Sequence, residues 1–130
     1  MPSLKITKNK KIKLNEHLSP FGFIKYVLVI NQRQLDFFCD KYKLPMQEFC
    51  KREGGYFSHI VGSQGEHYGI IAIRPNVNNP NAVIVHECVH YWQTFRDLIN
   101  EDKPSAEFEA YFIESSFINI VEDFNCQVLK

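Results

Sequence analysis

Long apolar runs are missing from this sequence. The longest, Tyr26-Val-Leu-Val-Ile30, falls far short of the ~20 residues that a bilayer-spanning helix needs, so no membrane partner is expected. Cysteine is sparse and unpatterned. Cys39, Cys50, Cys88 and Cys126 form no C-x-x-C pair, and a chain able to build a real core needs no disulfide staples, so reduced thiols are expected. Neither charge sign is in excess, with 15 Lys+Arg against 15 Asp+Glu, which removes bulk electrostatic attraction to nucleic acid or anionic lipid as a default. Repeats, low-complexity tracts and linkers are absent too, and 130 residues correspond to one domain spanning 1–130. The start has lysines where a secretory signal would be apolar, so a cytoplasmic protein is expected.

What is present is material for a core. Hydrophobic residues are 45% of the chain and eleven phenylalanines lead its aromatic content, which excludes a largely disordered protein. The neutral total conceals a polarity: residues 1–86 hold 12 basic and 6 acidic side chains, residues 87–130 hold 3 and 9. Such polarity suits docking to a protein partner. Five lysines between Lys5 and Lys13 suggest a solvated edge strand or a basic arm. No arginine or aromatic ring accompanies them, which favours the edge and disfavours nucleic-acid binding.

Periodicity supplies the element order. Ile24 to Ile30 is a β-branched run that predicts a buried strand. Asn31 is placed to cap a helix whose apolar face is Leu35, Phe38, Cys39 and Tyr42 and which stops at Pro45; a short helical turn over Met46 to Arg52 follows. Tyr56 to Val61 and Tyr68 to Arg74, separated by Gly62-Ser-Gln-Gly65, predict a hairpin. Asn79-Pro80 signals a helix running to about Ile99, and a last helix should start near Asp102-Lys-Pro-Ser105 and run towards Val128. The expected class is α+β, with a small, mainly antiparallel sheet and two consecutive C-terminal helices.

Inside the Asn79–Ile99 segment stands His86-Glu87-Cys88-Val89-His90, an H-E-x-x-H match that five histidines and ten glutamates would produce by chance in about one such chain in a hundred. At 100° per residue, His86 and His90 point within about 40° of each other and can reach one metal ion from successive turns. The apolar stripe of Ile84, Cys88, Tyr91, Trp92, Phe95, Leu98 and Ile99 lies opposite them, so neither histidine belongs to the core. Cys88 on that stripe reads as a buried, inert thiol and Trp92 as core. The chain order should set the histidine face beneath the Tyr68–Arg74 strand, whose free edge would accept an extended peptide.

Two imidazoles hold zinc weakly, so a third protein ligand is required. The metzincin pattern is excluded, because Arg96 and Gln93 occupy its third-histidine and glycine positions. On the next helix, Glu107 and Glu109 in Ala106-Glu-Phe-Glu-Ala-Tyr111 are both close enough in sequence to fold back, and helical periodicity leaves the choice open.

His86-Glu-x-x-His90 followed by Glu107-x-x-Ala110 resembles the gluzincin arrangement of zinc metallopeptidases, and in size and order the small ImmA/IrrE-type and phage-encoded H-E-x-x-H proteins, over residues 55–118. The resemblance implies a zincin-like fold, Zn2+ held by His86, His90 and Glu107 with Glu109 in reserve, and hydrolysis of a protein or peptide substrate by metal-activated water with Glu87 as general base. It suggests a phage or bacterial origin. Val89 stands where the family commonly has Gly, and Tyr111 where it has Asn or Asp. Tyr111 is the candidate to steady the oxyanion, with His67 and Tyr91 behind it, while Asp97 is placed to orient an imidazole and His59 and His67 belong to the hairpin over the cleft. The competing expectation is a catalytically inactive zincin-like binding or regulatory module.

Overall fold

The computed structural model describes residues 12–100 and 105–128. Its elements are β1 (Glu16–Leu18), a 3-10 turn at Pro20–Gly22, β2 (Ile24–Val29), α1 (Gln32–Lys41), β3 (Gly55–Val61), β4 (His67–Ile73), α2 (Pro80–Leu98) and α3 (Ala106–Val128). This is an α+β arrangement: one four-stranded sheet, ordered β1-β2-β4-β3, with three helices.

The sheet is mixed: β1–β2 and β3–β4 are antiparallel, in keeping with a mainly antiparallel sheet, but its central pair β2–β4 runs parallel. Parallel neighbours need a long crossover, and α1 with the loop after it supplies one. The chain leaves β2, crosses by α1 to the far edge as β3, then returns as β4 into the gap. Hence β4 has a neighbour on both sides and offers no free edge, contrary to expectation; among the described residues the outer edges belong to β1 and β3.

Central placement explains the apolar runs. Tyr26 and Leu28 of β2 with Ile71 and Ile73 of β4 face one core, where Ile84, Tyr91, Trp92 and Phe95 of α2 and Phe112, Ile120 and Phe124 of α3 pack. Val27, Val29, Ile70 and Ala72 face the other, against Leu35, Phe38 and Cys39 of α1. A strand buried on both faces cannot alternate apolar with polar residues.

Local signals act largely as their chemistry predicts. The Asn31 side chain accepts a hydrogen bond from Gln34 N and caps α1. Asn79 holds the cap position of α2, but there its backbone carbonyl accepts from Ala82 N and Val83 N while its side chain makes no cap bond. Ser105 Oγ accepts from Phe108 N at the start of α3. Residues 46–50 form no helical turn: Gln32 Oε1 and Nε2 bond Phe49 N and the Gln47 carbonyl, satisfying the backbone from outside. Lys5 to Lys11 and Asp102 to Pro104 lie outside the described residues, and Lys13 is in irregular chain before β1. All four cysteines are free thiols.

Candidate metal centre

Nineteen residues of α2 carry the motif, begun by Pro80 at the first turn and closed by Asn100 in the left-handed region at φ 58°. One face of this helix is consumed by the core, so Ile84, Cys88, Tyr91, Trp92 and Phe95 are buried and the opposite face must meet water. His86 and His90 lie on that outer face, both exposed, with ring centroids 4.8 Å apart and planes at 79°.

Glu87 is different. It sits at the margin of the buried face, only 5% exposed, and burial raises its carboxyl above the usual carboxylate range, against the partial opposition of His86 and His90. One ligand atom from each of His86, Glu87 and His90 fits within a 4.8 Å span. Tetrahedral zinc ligands stand about 3.4 Å apart, given bonds of about 2.1 Å, so modest rotamer changes bring two imidazoles of this group onto one ion. The donor set therefore fits a divalent cation.

His90 Nδ1 is 3.0 Å from Gln93 Oε1. A carbonyl oxygen can only accept, so Nδ1 carries the proton and Nε2 is left as the ligand atom. Gln93 is therefore a candidate orienting residue that the sequence alone did not single out, and its i+3 spacing from His90 was the available signal. Asp97, expected in that orienting role, is exposed on the following turn.

Neither Glu107 nor Glu109 belongs to the three-residue group. Both occupy the first turn of α3, where a negative charge also complements the helix dipole. α3 packs on α2 through Phe108 and Phe112 against Trp92, and Trp92 lies about 160° round the helix from His90 at 100° per residue. Tyr111 is exposed and borders a cavity whose wall includes none of His86, Glu87 and His90.

The hairpin histidines come together with each other. His59 Nε2 lies 2.9 Å from His67 Nδ1 with the rings stacked at 14°, and burial, followed by the neighbouring His67 charge, lowers the His59 pKa. They form no part of the His86–His90 group. Cys88 is fully buried and its thiol is pushed up to about 11 by burial, the inert state expected of it.

Compared with known proteins, the chain matches no family model, no curated protein and no solved structure.

Proposed function

We propose that the protein is a zinc-dependent metallopeptidase with a zincin-like site, acting on a protein or peptide substrate. The observation that carries this reading is the convergence of His86 and His90 from adjacent turns with a buried carboxylate between them in sequence. Bound zinc would polarise a scissile carbonyl and make water acidic enough to react near neutrality. His86 and His90 would hold the ion, Gln93 keeping His90 in the correct tautomer. Glu87, whose burial strengthens its hold on a proton, would take one from the attacking water and deliver it to the leaving amine. Glu107 remains the proposed third ligand by resemblance, and it would have to approach through movement of the first turn of α3. The reading assigns no step to Tyr111.

Purified protein supplied with zinc should hold about one equivalent by elemental analysis, and Glu87→Gln should keep the metal while losing chelator-sensitive cleavage of an unfolded protein substrate. Refusal of zinc by folded protein would refute the reading. The position of Glu107 outside the histidine group favours a second reading, a zincin-like binding or regulatory module without turnover. Titration of zinc into Glu107→Ala and Glu109→Ala separates the two. Loss of affinity in the first variant alone supports the peptidase, whereas unchanged affinity in both, with no cleavage by the parent protein, supports the module.

A further inference from the structure

Near the turn of the β3–β4 hairpin two imidazoles meet. Pairing sets His59 opposite Gly69 and Val61 opposite His67, so His59 and His67 are diagonal neighbours on one face of the sheet. The turn fixes their register: Gly62 N donates to the Glu66 carbonyl at 2.7 Å and Gly65 N to the Gly62 carbonyl at 3.0 Å. His59 is exposed and His67 half-buried, which leaves the pair open to solvent.

His59 Nε2 and His67 Nδ1 stand 2.9 Å apart. Ligands at cis positions of a square-planar or octahedral ion, with bonds of about 2.0 Å at 90°, lie about 2.8 Å from each other. These two nitrogens therefore already hold the spacing of cis ligands, whereas the ligand atoms of His86, Glu87 and His90 span up to 4.8 Å. A ligand nitrogen must be unprotonated, and the lowered pKa of His59 keeps that ring neutral at pH ~7. In the hydrogen-bonded pair one of the two facing nitrogens carries a proton. Entry of an ion moves that proton, through solvent, to the other nitrogen of the same ring, with no net proton release. Each ring also turns by about 45° to aim its lone pair at the ion, a change that the broad χ2 range of histidine accommodates.

We propose that His59 and His67 form a second metal site, which chelates a divalent ion of tetragonal preference, Cu2+ foremost, through His59 Nε2 and His67 Nδ1 with water completing the shell. Imidazole suits Cu2+, which heads the affinity order of the first-row divalent ions, while Mg2+ demands oxygen ligands and is refused. Because the two ligands come from different strands, the ion clamps β3, at the outer edge of the sheet, to central β4. The site stands independently of the zinc reading, since it shares no residue with the His86, Glu87 and His90 group.

Calorimetric titration of the full chain with Cu2+, Ni2+ and Mg2+, and electron paramagnetic resonance of the Cu2+ form, test the proposal. The His86→Ala/His90→Ala variant isolates the hairpin. It should bind about one equivalent of Cu2+ with two imidazole nitrogens in the spectrum, Ni2+ more weakly and Mg2+ not at all. In that background His59→Ala and His67→Ala should each weaken Cu2+ binding about 100-fold, because one ring alone loses the chelate advantage, and removing both should cost little more. Cu2+ should raise the melting temperature of the background protein but not of either hairpin variant. A spectrum with one nitrogen, loss of affinity in only one of the two variants, or an unchanged melting temperature would mean adventitious binding to single imidazoles and would overturn the proposal. So would loss of Cu2+ binding on removal of His86 and His90 alone.

Discussion

Glu87 is a conflict held in place by its neighbours. The helix register that presents His86 and His90 to solvent forces the residue between them towards the core margin, where ionising a carboxyl is opposed by desolvation. A carboxyl whose folded pKa lies above the unfolded value of 4.5 adds stability below that value and loses it as pH rises through the folded pKa. Metal-free Glu87→Gln should therefore melt higher than the parent protein at pH ~7, with the gain vanishing by pH ~4, where both states are protonated. Scanning calorimetry at the two pH values checks this, and an equal gain at both would contradict it. In the proposed site Gln93 would act through His90 and not on substrate. Gln93→Ala should weaken zinc binding about 10- to 100-fold, the usual cost of losing an orienting partner, with secondary structure unchanged in circular dichroism.

Among the elements, β3 controls how closely the sheet approaches α2. Gly55 begins that strand where a Cβ atom would stand 2.7 Å from the Ala72 carbonyl oxygen and 2.9 Å from a methyl of Val83 on α2. Backbone cannot yield as a flexible side-chain end can. Gly55→Ala should destabilise the fold by about 1–3 kcal/mol in urea unfolding, the cost of overpacking. The comparison is Gly65→Ala, whose added Cβ meets nothing and whose cost comes from its φ of 84° instead. α3 is fixed by other means. Asp123 accepts from Asn15 Nδ2 and lies 2.8 Å from His17 Nε2, tying that helix to the β1 edge while Trp92, Phe108 and Phe112 interlock it with α2.

For the molecule as a whole, the proposed metal centre lies outside both hydrophobic clusters, each of which is complete without it. Structural zinc sites hold small domains together, and their chelation unfolds them. Here removal of zinc should abolish cleavage yet leave the far-UV spectrum and near-UV aromatic signals unchanged, the melting temperature falling only by the linkage between metal and native state. Unfolding on chelation would reassign the ion to a structural role. No helix among the described residues is long and apolar enough to cross a membrane, in keeping with the short apolar runs of the chain.

Local chemistry determined much of this. Hydrophobic period placed β2, β3, β4 and all three helices within a few residues, Asn31 and Pro80 marked two helix starts, and the wheel of α2 put both histidines opposite the core, because these features depend on side chains a few residues apart. Which strands become neighbours depends on long-range closure, and only the tertiary structure decided it: β4 entered the centre of the sheet, parallel to β2, and its expected free edge passed to β3. The three-residue strand β1 carried too little pattern to be read, being held by Glu16 with Lys41 and by His17 with Asp123 across the fold. The same holds for the candidate site. His86, Glu87 and His90 were legible because one helical segment contains them, whereas the relation of Glu107 to those histidines follows from how α3 packs on α2.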